Sequence, residues 1–191
     1  MTILILGLVL FFSVHSIRIV ADGWRSAQVA RMGLMPWKAL YALLSIAGLA
    51  LMMWGYGTVR AGEPELWATP ALLRYVTTLL TLVAFILWAA AYLPRNRIKA
   101  ALGHPMVAGV KVWALAHLLS NARAIDLLLF GTFLVWSALS FRAARQRDRA
   151  NPPPPMEITG GNALIAVVVG VFAWAVFAYY LHPLLIGVKV M

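Results

Sequence analysis

The sequence predicts an all-α protein, a polytopic membrane helix bundle of six transmembrane helices with both termini on the periplasmic side. Three observations carry that expectation. Of the 191 residues, 63% are hydrophobic and 12% charged, where soluble proteins carry about 25% charged residues. Apolar runs close to the roughly 20 residues that cross a bilayer as helix use up most of the chain. The Lys and Arg residues gather in alternate connections between those runs, which is the pattern that orients membrane helices.

Met1 to Ile17 has no basic region before it and no A-x-A-like site behind it, so it predicts a retained first span rather than a cleaved signal. Further spans are expected from Ala39 to Val59, Tyr75 to Leu93, Pro105 to Leu119, Leu127 to Phe141 and Ile158 to Val188. The fourth is interrupted by Lys111, and the last is longer than one crossing needs. Trp24, Trp37, Trp67 and Tyr92 stand near run ends, where aromatic rings anchor helices at the lipid–water boundary.

Orientation follows from the basic residues. Arg18, Arg25, Arg31, Lys38, Arg95, Arg97, Lys99, Arg142, Arg145, Arg147 and Arg149 fall on one side, and Arg60, Arg74, Arg123 and Lys189 on the other. The richer side is cytoplasmic by the positive-inside rule, which makes the chain a multi-pass membrane protein with both termini outside the cytoplasm. The net charge of +10 is thus accounted for by the lipid bilayer as partner, and nucleic acid is not expected. Asn151-Pro152-Pro153-Pro154-Pro155 lacks four backbone donors and predicts a stiff polyproline spacer. It divides residues 1–150, a five-helix core, from residues 151–191, the spacer and sixth span. No internal repeat of the kind that builds transporter halves is evident.

The absence of cysteine excludes disulfides, thiolate metal sites and thiol catalysis. Hydrolase patterns are also missing: there is no His-Glu-x-x-His pair, Walker loop or GxSxG elbow, and Gly55-Tyr56-Gly57 lacks the third glycine of a dinucleotide loop. Attention therefore falls on the polar residues that hydrocarbon makes costly. His15 lies between Ser13 and Ser16, three residues before Arg18. His104 precedes Pro105 at the start of the fourth span, and His117 follows Ala114 and Ala116, small residues that leave room beside the ring. Lys111 lies between those two histidines and needs an anion, such as Asp126, a lipid phosphate or a cofactor carboxylate. Asp126 opens the fifth span and can pair with Arg123, and His182-Pro183 closes the sixth in an interface role. Imidazoles and basic side chains among aromatic-rich helices suit haem: histidine ligands, an apolar slot, and Arg or Lys for the propionates.

The sequence resembles the NnrU family of membrane proteins. The resemblance lies in Val14-His15-Ser16, Trp54-Gly55-Tyr56-Gly57, Ala91-Tyr92-Leu93-Pro94, His104-Pro105-Met106 continuing through Lys111-Val112-Trp113-Ala114-Leu115-Ala116-His117, and Leu181-His182-Pro183-Leu184-Leu185-Ile186-Gly187. It implies a role accessory to nitrite and nitric oxide respiration in denitrifying bacteria, and a distant relation to the 15-cis-zeta-carotene isomerases, which are haem b proteins. Carried over from those isomerases, the two iron ligands fall on His15 and His117. Where the isomerases have cysteine three residues before the second ligand, this chain has Ala114.

Depth arithmetic keeps His104 beside His117 as the alternative second ligand. At about 1.5 Å per residue, His117 lies roughly 16 Å from the cytoplasmic face and His15 about 9 Å, while two nitrogens on one iron are about 4 Å apart. Arg18 and Lys111 are then the candidates for the propionates. The expected function is a haem b-binding protein of the bacterial inner membrane, partnered by haem and by either a hydrophobic polyene substrate or a respiratory protein. One alternative is a haem-dependent cis–trans isomerase of a polyunsaturated, carotenoid-like lipid. Another is an S-adenosylmethionine-dependent membrane methyltransferase, because Gly103-His104-Pro105 is similar to the Arg-His-Pro of that class.

Overall fold

The computed structural model describes residues 1–155, 157, 158, 160–188 and 190; Lys189, counted above on the poorer side, lies outside them. The chain falls into two compact units, Met1–Pro64 and Glu65–Met191.

The first unit is built from α1 (Thr2–Val20), α2 (Asp22–Met32) and α3 (Leu34–Arg60). Helices α1 and α3 run antiparallel and pack at close range because glycines remove the side chains between them. A Cβ on Gly48 would stand 2.9 Å from the backbone nitrogen of Phe11, and one on Gly55 would stand 2.7 Å from Leu4 Cα. Gly7 meets Gly48 and Met52 from the other side. With no hydrophobic drive between helices in lipid, this intimate van der Waals contact is what holds them together. The short α2 buries none of its residues. Its Trp24 lies edge-on to Trp37, with centroids 5.9 Å apart.

The second unit contains α4 (Ala71–Tyr92), α5 (Arg97–Leu102), α6 (Pro105–Ser120), α7 (Ala124–Ala150), α8 (Gly160–Val176), a π-helical turn (Phe177–Leu181) and α9 (His182–Ile186). Helix α4 is its axis: α6 and α8 both pack along it, and α7 packs on α6. Gly109 of α6 fits against Trp88 and Ala84 of α4, and Gly170 of α8 fits against Ile86. Two hydroxyls lock the same faces, Thr77 donating to the Ala116 carbonyl at 2.8 Å and Thr81 accepting from Trp174 Nε1 at 3.1 Å. At the end of α4, the fully buried Asn96 donates to the carbonyls of Ala90 and Leu93 and accepts the Lys99 N–H. One side chain thereby closes α4 and caps α5.

Five helices are long and apolar enough to cross a membrane: Thr2–Val20, Leu34–Arg60, Ala71–Tyr92, Ala124–Ala150 and Gly161–Ile186. Pro105–Ser120 is a shorter apolar helix of 16 residues, about 24 Å long at the usual rise. These are the six expected elements, with α3 and α7 extended at their polar ends. Helix α7 continues through Arg142 to Ala150 because Arg, Ala and Gln are good helix formers whose charges reach water. The prolines from 152 to 155 are not helical, as expected. The sixth span nevertheless belongs to the same compact unit as α4, through the Gly170 and Trp174 contacts, and the division between units falls at Pro64.

Candidate cofactor-binding site

Each histidine singled out by the sequence has a defined setting. In the first unit His15 stands five residues before the end of α1, and its Nδ1–H donates to the Phe11 carbonyl at 2.8 Å. The ring stacks on Phe11 at 3.8 Å and 17°, and lies 5.0 Å from the Tyr41 ring of α3. Tyr41 was not singled out by the sequence; it reads there as one more apolar residue of the second run. Arg18, one turn beyond His15, makes a 3.8 Å ion pair with Asp22, and both side chains are well exposed. An exposed pair of that length contributes little stability.

In the second unit His104 immediately precedes α6, and its Nε2 lies 2.8 Å from Asp148 Oδ2 near the end of α7. The Phe141 ring stands edge-on to it at 6.1 Å. Gly103 is the hinge that places this histidine: φ is +72°, and a Cβ there would lie 3.3 Å from Arg145 Nη1. A larger residue at that position is strained, so an Arg-His-Pro form of the motif does not suit this turn.

Lys111 and His117 each touch an aromatic ring of α7. The Lys111 ammonium lies 4.6 Å from the centre of the Phe141 ring, a cation–π contact that relieves the cost of the charge without neutralising it. Asp126 does not supply its anion. That carboxylate is at the opposite end of α7 from Phe141, roughly 22 Å along the helix. Fully buried, it accepts the Arg123 backbone N–H at 3.0 Å and closes the first turn, while the Arg123 guanidinium reaches Glu65 at 3.2 Å.

His117 lies one turn above Trp113 on α6, and its Nδ1–H donates to the Trp113 carbonyl at 2.9 Å. Because a carbonyl only accepts, this bond fixes the proton on Nδ1 and leaves a lone pair on Nε2. The ring stands between Trp113, at 4.8 Å, and Phe130 of α7, at 4.6 Å and 30°. Trp113 is itself edge-on to Phe130 and Phe133. The result is an imidazole with a directed lone pair beside an aromatic wall. Among the described residues no group of three or more His, Cys, Asp or Glu side chains is arranged to hold a metal ion. What the site offers is the Nε2 lone pair of His117. Ala114, where the isomerases have cysteine, is fully buried.

The sequence did not single out His182 as a ligand. It opens α9 directly after the π-helical turn, and its Nδ1–H donates to the Val188 carbonyl at 2.8 Å. Sixty-odd residues of chain separate it from His117, so no local spacing reveals it.

A chain of five bilayer-length apolar helices with a shorter sixth is a multi-pass helical membrane protein. A family model described as NnrU protein matches residues 3–190, and the chain belongs to the NnrU family. No curated protein and no solved structure matches it.

Proposed function

We propose that this NnrU-family chain is a haem b-binding protein of the bacterial inner membrane, accessory to nitrite and nitric oxide respiration, with His117 as an axial ligand. The observation that carries the reading is the tether from His117 to Trp113 inside the Trp113–Phe130 wall. A second hydrogen bond that fixes the tautomer and aims Nε2 is the usual support of a ligating histidine. Family membership supplies the link to nitrogen-oxide respiration. The richly basic ends of α5 and α7 supply the orientation, with that end cytoplasmic.

Haem b supplies an iron that takes up or gives an electron and binds small ligands. The chain's own residues do the rest. His117 holds Nε2 in one direction, Trp113 and Phe130 exclude water, and Lys111 offers an intramembrane cation to a propionate. Arg18 is the corresponding cation in the first unit. His15, in the first unit, is the other ligand that the isomerase resemblance names, and it has a tether of the same kind to Phe11. His104 is the weaker alternative, because its Nε2 is engaged by Asp148.

The test is the absorption spectrum of the detergent-purified chain from cells supplied with a haem precursor. A Soret band that is lost in His117→Ala, with helicity retained, supports the reading. A wild-type preparation without the band, despite abundant haem, defeats it.

A further inference from the structure

Within the second unit, α4 serves as a ruler for the helices on either side of it. Helix α8 runs antiparallel along it: Asn162 Nδ2 donates to the Pro94 carbonyl, Gly170 abuts Ile86, and Trp174 Nε1 donates to Thr81. Extrapolated through the π-helical turn, that register brings His182 to within about one turn of the level of Arg74. On the other flank, the Ala116 carbonyl accepts the Thr77 hydroxyl at 2.8 Å, and His117 is the next residue. Arg74 and Thr77 are less than one turn apart, about 5 Å of rise. His117 and His182 therefore stand at nearly the same depth. They come from helices that both pack on α4, with no comparable packing between α6 and α8 themselves.

The local chemistry of the two rings is also alike. Each Nδ1–H is tied to a backbone carbonyl, Trp113 for His117 and Val188 for His182, so each Nε2 carries a lone pair. Among the described residues neither Nε2 has a hydrogen-bond partner. Both rings are part-buried, and the lone pair on each Nε2 is open to a ligand. His182 is placed by deliberate backbone features. The π-helical turn Phe177–Leu181 adds a residue to the helical turn and so rotates the face that follows, a feature frequent at functional sites. Gly187, in the left-handed region at φ +76°, ends α9 and brings the Val188 carbonyl back onto the ring. Phe177 anchors the turn to Phe85 of α4 at 5.5 Å and lies 6.0 Å from His182.

We infer that His182 is the second residue that would ligate the iron, so that both histidines holding the haem would come from the second unit. The inference rests on the haem reading above and replaces His15 as partner of His117.

The experiment compares the haem-loaded, detergent-purified wild type with His182→Ala, His182→Met and His15→Ala, by optical and electron paramagnetic resonance spectra. Circular dichroism serves as the control for folding. The expected wild type is six-coordinate and low-spin. His182→Ala becomes five-coordinate and high-spin and is returned to low spin by added imidazole. His182→Met stays low-spin with a shifted spectrum, and His15→Ala matches the wild type. A His182→Ala spectrum identical to the wild type, or a spin change in His15→Ala instead, overturns this inference while leaving the haem reading intact. A wild type that takes up no haem overturns both.

Discussion

The imidazole of His117 and the carbonyl of Trp113 are joined by a 2.9 Å hydrogen bond one turn apart on α6. That bond decides which nitrogen is protonated, and the aromatic rings around it decide what can approach the other. Removing the ring tests the chemistry, whereas removing its neighbours tests the setting. Phe130→Ala, which deletes a buried ring 4.6 Å from His117, is expected to destabilise the protein by about 3–5 kcal/mol. It is also expected to broaden the Soret band, because the imidazole loses one wall. Thermal unfolding and the optical spectrum, measured on one preparation, check both effects.

The glycines of Trp54-Gly55-Tyr56-Gly57 make opposite predictions. A Cβ at Gly55 would run into the backbone of Leu4 and Ile3, whereas one at Gly57 meets nothing within 4 Å. Gly55→Ala is expected to cost about 1–3 kcal/mol as overpacking. Gly57→Ala is expected to be neutral or to stabilise by up to about 1 kcal/mol through helix propensity. Equal effects in a denaturation series would contradict the close approach of α1 and α3.

Asn96 should be replaceable neither by Ala nor by Asp. The first loses all three hydrogen bonds; the second keeps the acceptor for Lys99 N but cannot donate to Ala90 and Leu93. Each is expected to lower stability by about 1–3 kcal/mol, with Asp no better than Ala because it sets an acceptor against two carbonyls. Melting temperatures of the three proteins check this ordering.

His104→Ala is expected to leave the haem spectrum unchanged, since the structure gives that Nε2 to Asp148 at 2.8 Å. The stability cost is expected to be modest, about 1 kcal/mol or less for a partly exposed pair. A lost Soret band in this variant would return His104 to the position of second ligand.

Lys111→Met is expected to leave the fold intact and to lower the haem reduction potential. The substitution removes an intramembrane cation resting on Phe141 and so favours the more positive, oxidised iron less unfavourably than before. Potentiometric titration of the wild type and the variant gives the sign directly. An unchanged potential would mean that Lys111 serves another anion.

Much of the architecture is legible in the sequence, because lipid demands long apolar helices and the runs announce themselves. What escaped were the elements that hydrophobicity does not mark. Helices α2 and α5 are short and polar, and the cytoplasmic extension of α7 reads as a charged connection, although Arg, Ala and Gln continue a helix readily. Of the candidate residues, His117 and Lys111 each meet an aromatic ring of α7, Phe130 and Phe141. His104 is instead occupied by Asp148, a partner that the sequence places 44 residues away. His182 could not be matched to His117 from spacing, because their common depth is set by α4, through Thr77 on one flank and Ile86 on the other.

The most direct test of the account is the pyridine haemochrome content of the purified chain and of His117→Ala. The account predicts close to one haem b per wild-type chain and nearly none in the variant. Equal haem in both, or none in either from haem-replete cells, would contradict it.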